Sequence, residues 1–276
     1  MQQQWQTVFD INAAPTGKKA DTVFMTGWNE WIAIKFKDGG KDPIHFVDLF
    51  NMEYSRDMEM MRGGYGDNYY LQMTDNVRRF KTTLRKRFVK PVSTVSLDST
   101  AEAWQNVRAY PDFAGDALAR NFKAYNAGLP PMTDNTNRND ITAVRMAHDM
   151  ANLYIRVTTL NDVTEYQSGD TKWMNIWLGK GMGFNYDYVI NREYGKLSAV
   201  TAGGYTTAGD VQMRVSENTL TVAVPLSLLS LSSDDIGLRF KVSDNVDASD
   251  RMNFYIQGDS APMGQLSYSY GYIGDK

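Results

Sequence analysis

The sequence predicts a multidomain α+β chain in which a short helical part precedes an antiparallel β-sandwich. Its 276 residues exceed the usual size of one domain, so two units are expected. Apolar residues follow a helical period in residues 1–90 and fall into short β-type runs after residue 100. The predicted units are therefore residues 1–90 and 101–276, joined by a linker over residues 91–100.

The N-terminal part combines two predicted helices with one predicted strand. Gln2–Asn12 repeats apolar residues at helical spacing and stops before Pro15, which predicts a short amphipathic helix. Thr22–Thr26 is apolar on both faces, as a buried parallel strand is. A second helix is predicted over Asn68–Arg87 with Asp67 as its N-cap, because basic residues gather at its end, where cations favour the helix dipole.

The C-terminal part is rich in predicted strands. Pro91 and the Ser/Thr-rich Ser93–Thr100 end the helical period. Nine short β runs follow, with one brief helical segment over Leu226–Leu231, and this pattern favours an antiparallel sandwich. The nine runs are Ile141–Met146, Leu153–Thr159, Trp173–Leu178, Tyr186–Ile190, Val211–Val215, Leu220–Val224, Leu238–Val242, Met252–Ile256 and Leu266–Tyr272.

Charge and composition exclude several classes of function. The net charge of -3 arises from 29 basic and 32 acidic residues mixed along the chain, so nucleic acid and anionic membranes are not expected partners. No window holds 18 consecutive apolar residues and Met1 does not begin a signal peptide, so no membrane span and no leader are expected in this chain. The absence of cysteine excludes disulfides and thiolate chemistry. The only histidines, His45 and His148, fall in different parts, which argues against a catalytic triad.

The segment Gly27–Trp31 is the first candidate site. It follows directly on the predicted strand Thr22–Thr26, and a carboxylate at the end of a parallel barrel strand points into an active-site face. Glu30 is therefore the candidate catalytic residue. The neighbouring Trp28, Asn29 and Trp31 are candidates to bind a sugar through ring faces and an amide. The alternative is that the tryptophans pack at a barrel rim and that Glu30 forms a salt bridge.

This segment carries a resemblance to a known family. Phe24–Trp31 resembles the last-strand signature of the family 99 glycoside hydrolases and the bacterial WbsX-like proteins, while Phe46–Asp57 and Gly63–Tyr70 resemble the loop and closing helix of related barrel proteins. The resemblance covers residues 1 to about 88. It implies the last strand and flanking helices of a (β/α)₈ barrel, with Glu30 as the first carboxylate of a Glu-x-x-Glu pair.

The second position of that pair is Ala33, so the expected partner of Glu30 is absent. A glycosidase needs two such groups, and the partner would belong to the following loop or to strands outside this chain. The loop acids are Asp48, Glu53, Asp57 and Glu59, which can equally be solvated or paired with Arg56. A closed barrel takes about 250 residues. We therefore expect a remnant whose partner is a missing N-terminal barrel portion, and no appreciable glycosidase turnover by this chain alone.

Short segments in the C-terminal part resemble family 9 carbohydrate-binding modules. They include Val95–Asp98, Tyr110–Asp116, Asn152–Ile155, Trp173–Leu178 and Asp259–Pro262. The resemblance continues to about residue 272. It implies a β-sandwich that grips sugar between aromatic rings and often holds calcium.

Trp173, Asn175 and Trp177 form the second candidate site. In a continuous strand these alternate residues face the same side, so two indoles and an amide could form a sugar platform. They could equally belong to the inner face of the sandwich, since Ile176 and Leu178 leave the polarity of the strand undecided. If the tryptophans are core residues, the sugar site is expected among loop aromatics. These are Tyr110, Phe113 and Tyr205.

Acidic residues supply a candidate metal site. Carboxylates are the hard oxygen ligands that calcium prefers, and one group of three aspartates lies at Asp244, Asp247 and Asp250. A second group consists of Asp98, Asp112 and Asp116. Aspartates that cap turns would explain both groups without a metal.

Three hypotheses of function follow. The leading one is an exported glycoside-hydrolase-like protein, located outside the cell, in the periplasm or at the cell surface, whose sandwich binds a polysaccharide or oligosaccharide. The second is a non-catalytic carbohydrate-binding module. The third is a structural domain that supports a barrel. No cofactor is required, and a structural calcium is the one candidate ion.

Overall fold

The computed structural model describes residues 1–29, 35–36, 45–46, 57–81, 89–91, 95–123, 131–181 and 184–272. The chain divides into two compact units, Met1–Leu84 and Arg85–Lys276. Within the described residues, no helix has both the length and the apolarity to cross a membrane.

The first unit contains two helices and a short antiparallel strand pair. The buried Trp5 ring stacks on Phe9 at 5.8 Å between centroids and meets Phe80 at 6.0 Å, which holds the two helices together. The elements are helix α1 (Gln2–Ala13), strands β1 (Lys35–Phe36) and β2 (His45–Phe46), and helix α2 (Asn68–Lys81).

The parallel strand predicted over Thr22–Thr26 is wrong. These residues have no regular secondary structure, and Phe24 is 88% exposed. A strand needs a neighbour to satisfy its backbone N–H and C=O groups, and the described part of this unit places none beside it. A barrel remnant is therefore not seen in the described residues.

The second unit consists mainly of β-strands. They are β3 (Ala109–Pro111), β4 (Arg120–Phe122), β5 (Met132–Asp134), β6 (Ile141–His148), β7 (Asn152–Thr159), β8 (Asn175–Gly179), β9 (Tyr188–Ile190), β10 (Lys196–Thr201), β11 (Gly204–Asp210), β12 (Gln212–Ser216), β13 (Thr219–Pro225), β14 (Leu238–Asp244), β15 (Asp259–Ala261) and β16 (Tyr268–Tyr270). A four-residue helix, α3 (Asn253–Ile256), precedes β15.

Two antiparallel sheets enclose one apolar core, as the predicted sandwich requires. The five-stranded sheet has the order β12-β13-β7-β6-β3, and the seven-stranded sheet has the order β11-β10-β9-β8-β14-β15 with β16 also beside β14. Alternate residues of both sheets, such as Ile155 of β7 and Ile176 of β8, are fully buried in the shared core. A sandwich of antiparallel sheets is therefore confirmed.

Two segments differ from their predicted structure. Met252–Ile256, predicted as a strand, contains helix α3, because Asp250 accepts a hydrogen bond from the backbone N–H of Met252 at 2.9 Å and starts a turn there. The hairpin of β10 and β11 was not predicted. Strand β11 is mostly exposed and rich in Gly, Thr and Ala, so it lacks the apolar alternation on which a strand prediction depends.

The buried His148 is a structural residue of this sandwich. Its Nδ1 lies 2.7 Å from the Tyr270 hydroxyl of β16, and its Nε2 lies 3.1 Å from the carbonyl oxygen of Ser233. Burial lowers the pKa of this imidazole, which keeps it neutral. His148 therefore links the two sheets.

Candidate functional site

The outer face of the seven-stranded sheet carries a pocket of about 380 Å³, which we call the outer-face pocket. This volume lies within the range of small-molecule sites. Its aromatic lining residues are Trp177, Phe184, Tyr186, Tyr205 and Phe254.

Strand alternation places Trp177 at the floor of the pocket. Ile176 and Leu178 point into the core between the sheets, so Trp177 points to the outer face. Lys241 of β14 lies opposite it in the register and lines the same pocket. The Trp177 indole N–H donates to Ser243 Oγ at 2.9 Å, and the side chain is only 3% exposed.

The other rings surround Trp177 and form the walls. Its ring centroid lies 5.8 Å from Tyr186, 5.9 Å from Phe254 and 6.4 Å from Tyr205. Tyr205 begins the exposed strand β11 and is 41% exposed, so one wall can be reached by a ligand from solvent. The Arg192 guanidinium lies 3.9 Å from the Tyr205 centroid and supports that ring.

Polar side chains interrupt the aromatic lining. Arg251 donates to the amide oxygen of Asn185 and, at 3.5 Å, to that of Gln265. All three residues line the pocket. Lys241 donates to the carbonyl oxygen of Pro262. The pocket therefore offers ring faces together with amide and cationic groups.

The common face predicted for Trp173, Asn175 and Trp177 is wrong for Trp173. Trp173 is 1% exposed, lies in the core between the sheets, and donates its indole N–H to the Thr164 carbonyl at 2.8 Å. Met174 has a φ of 43°, which interrupts the strand geometry between the two tryptophans. Asn175 is buried and donates to the Asn191 carbonyl at 3.0 Å. Of the three residues, Trp177 lines the pocket.

The three loop aromatics that the sequence offered also lie in different places. Tyr110 is buried and donates its hydroxyl to the Ser269 carbonyl at 2.8 Å. Phe113 is exposed and does not line the pocket, whereas Tyr205 does.

The predicted metal site of Asp244, Asp247 and Asp250 is not formed. The buried Asp244 accepts hydrogen bonds from Arg138 Nε at 2.7 Å and from the backbone N–H of Met174 at 2.9 Å. Asp247 accepts from the backbone N–H of Ser249 at 3.0 Å, and Asp250 caps the turn before α3. Their carboxylates hold an arginine and two turns, which is the alternative that the sequence left open.

Another group of carboxylates converges in this unit, and we call it the acidic cluster. Oxygens of Asp112, Asp116 and Asp259 all lie within 4.8 Å of one another. Asp112 follows β3 and Asp259 begins β15, so residues far apart in sequence meet here. Asp98 is instead paired with Arg214 at 2.7 Å.

Burial and mutual repulsion disfavour the charged forms of the carboxylates in the acidic cluster. Burial, reinforced by the neighbouring carboxylates, raises the pKa of Asp112 to about 7, and burial is also the main cause that raises the pKa of Asp259 to about 8. Asp112 Oδ2 and Asp116 Oδ1 have no hydrogen-bond partner among the described residues. A hard divalent cation would neutralise these groups, so the donor set fits calcium.

Lys241 lies between the acidic cluster and the outer-face pocket. It interacts with the charges of Asp112 and Asp259 while its side chain lines the pocket. Burial lowers the pKa of its ammonium group to about 7. Lys241 is not among the site residues predicted from the sequence, although the alternation of Arg239 and Lys241 with apolar residues in β14 is a signal that could have indicated a polar outer face.

The described part of the first motif is a surface segment. Trp28 is 44% exposed, and its backbone carbonyl accepts from the N–H of Glu59 at 2.9 Å. Asn29 donates its amide to Glu59 Oε2 at 3.0 Å. Glu30 and Trp31 lie outside the described residues. The catalytic role of Glu30 and the sugar-binding roles of Trp28, Asn29 and Trp31 stay predictions.

Comparison with known proteins finds a weak structural likeness. No family model matches the chain, and no curated protein matches it. Among solved structures, it is similar to a carbohydrate binding module family 9 (CBM9) from Caldicellulosiruptor kristjanssonii in complex with cellotriose. The identity is 14%, the match covers 68% of this chain and 84% of that one, and the TM-score is 0.32.

Proposed function

We propose that the unit Arg85–Lys276 is a non-catalytic module that binds a saccharide in the outer-face pocket. The observation that carries this proposal is the aromatic floor and wall beside amide groups. A sugar ring has an apolar face bordered by hydroxyls, so its binding needs a flat ring and hydrogen-bond partners side by side. Tyr205 supplies the accessible ring over the buried Trp177, while Asn185 and Gln265 supply the amides.

Glycoside hydrolysis would require an intact polypeptide with a complete barrel. Glu30 would act there as acid, base or electrostatic stabiliser, next to a subsite formed by Trp28, Asn29 and Trp31. Position Ala33 lacks the second carboxylate of the family that this segment resembles, so the partner of Glu30 would have to be another residue. Such a protein would work on extracellular, periplasmic or cell-surface glycans.

Calcium is assigned a structural role at the acidic cluster. Asp112, Asp116 and Asp259 would contribute carboxylate oxygens, and backbone carbonyls or water would complete the 6 to 8 ligands that calcium typically takes. When bound, the ion would supply charge neutralisation next to β3 and β15.

The proposal is tested by titrating the chain with a panel of soluble oligosaccharides in a calorimeter. Tyr205→Ala removes the exposed wall and should lower the affinity by roughly five- to tenfold, as the loss of an aromatic contact worth about 1 kcal/mol does. Phe113→Ala is the matched control, because Phe113 is also an exposed aromatic residue but does not line the pocket.

Two results would contradict the proposal. Saccharide binding that is lost in Phe113→Ala and kept in Tyr205→Ala would move the site to another surface. No binding of any saccharide by the folded chain would leave the third hypothesis, a domain that only supports a barrel.

A further inference from the structure

The ionisable side chains described around the outer-face pocket are of one sign. Among the described residues that line it, Lys241 and Arg251 are basic and none is acidic. This contrasts with the whole chain, in which acidic residues outnumber basic ones by 32 to 29. A concave site lined by charge of one sign concentrates ligands of the opposite sign.

Arg251 is positioned to bind an oxyanion. Its side chain is exposed at the pocket, and its two terminal nitrogens donate to the neutral amide oxygens of Asn185 and Gln265. The ion pairs found between described residues do not include Arg251. The amides orient the guanidinium without neutralising it, and its planar set of five N–H donors suits a carboxylate or sulfate group.

A second arginine adds positive potential. The Arg192 guanidinium stacks on Tyr205 at the wall. Lys241 lies opposite Trp177 in the register, but it is fully buried and interacts with the charges of Asp112 and Asp259, so the positive potential available to a ligand comes from the two arginines. A neutral sugar would need hydroxyl partners and would gain little from these cations, whereas an anionic sugar would gain from both of them.

We propose that the outer-face pocket selects acidic saccharides, with Arg251 binding the carboxylate of a uronic acid or the sulfate ester of a sulfated sugar while the exposed Tyr205 contacts the ring. This inference deepens the proposed saccharide-binding function and rests on it. The two anions share the chemistry of an oxyanion attached to a sugar ring. Arg251 is thus the residue that determines specificity.

The test uses pairs of sugars that differ only in whether the group at C6 is neutral or anionic. Methyl glucoside is compared with methyl glucuronide and with methyl glucoside 6-sulfate, and galactosides and mannosides are compared in the same way. We expect at least one acidic member to bind about fivefold or more tightly than its neutral partner in 20 mM salt, and this advantage should shrink in 0.5 M salt because screening weakens exposed charge pairs. The carboxylate and sulfate arms show which anion is the ligand.

Substitutions test whether Arg251 causes the preference for acidic sugars. Arg251→Gln should bring the ratio of acidic to neutral affinity to about one. Arg251→Lys should leave an intermediate ratio, because it keeps the positive charge but loses the planar set of N–H donors. Arg214→Gln is the matched control, since Arg214 is an exposed arginine paired with Asp98 and is not among the residues that line the pocket. Thermal midpoints of all variants confirm that they are folded.

The outcomes separate this inference from the function on which it rests. Neutral sugars that bind as tightly as their acidic partners, or an acidic preference that survives in Arg251→Gln, would overturn the selectivity and leave saccharide binding intact. Failure of every neutral and acidic sugar to bind would overturn both.

Discussion

Truncation of Trp173 tests the division of the two tryptophans between core and pocket. Trp173→Ala removes an indole that is 1% exposed, lies in the core between the sheets, and donates to the Thr164 carbonyl at 2.8 Å. Replacing a buried Trp by Ala costs roughly 3 to 5 kcal/mol of unfolding free energy through lost burial and the cavity left behind. The unpaired Thr164 carbonyl adds about 1 kcal/mol.

These costs translate into a large thermal shift. The second unit spans Arg85–Lys276, and a domain of about this size loses roughly 2 to 4 °C of thermal midpoint per kcal/mol. We therefore expect Trp173→Ala to lower the midpoint by roughly 8 to 24 °C. Trp173→Phe should lose less, because it keeps a ring in the core and gives up mainly the hydrogen bond.

Calorimetric melting and saccharide titration of the same samples check this expectation. Phe113→Ala serves as the control and should shift the midpoint by about 2 °C or less, because exposed substitutions usually stay within about 0.5 kcal/mol. The reasoning would be refuted if Trp173→Ala kept its midpoint while its saccharide affinity fell. Trp173 would then belong to the binding face and not to the core.

Two further predictions concern the acidic cluster and the independence of the units. The folded-state pKa values of Asp112 and Asp259 lie above the value of about 4 for an unfolded carboxyl. Between pH 4 and 7 the folded chain therefore binds more protons than the unfolded chain. The free energy of unfolding consequently falls as the pH rises through that window. Above pH 7 the deprotonation of Lys241 acts with the opposite sign. Millimolar calcium should therefore raise the thermal midpoint more at pH 7.5 than at pH 5, and a rise that persists unchanged in Asp259→Asn would count against the cluster as the site. Expressed separately, Arg85–Lys276 should melt cooperatively with a native near-ultraviolet dichroism signal, since it contains both sheets and their core, whereas Met1–Leu84 should not. A cooperative melt of the N-terminal piece would contradict this prediction.

The local elements of this protein could be predicted from the periodicity of its apolar residues. Helix α1 was predicted over Gln2–Asn12 and lies at Gln2–Ala13, and the longest strands, such as β6, β7 and β14, were predicted to within a few residues. Apolar periodicity reports such elements because it depends only on neighbours along the chain. The strand predicted over Thr22–Thr26 was wrong because a strand also depends on a neighbouring strand, which the local sequence does not reveal.

Both sites depend on contacts between residues that are distant in the chain. A positive φ at Met174 sends Trp173 into the core and Trp177 to the outer face, and spacing in sequence could not show that break. Asp259 meets Asp112 and Asp116 because β15 of the seven-stranded sheet lies against β6 of the five-stranded sheet, beside β3, which Asp112 follows. Non-local contacts therefore set both the outer-face pocket and the acidic cluster, because the side chains that form each of them come from strands and loops that are distant in the chain and adjacent in the fold.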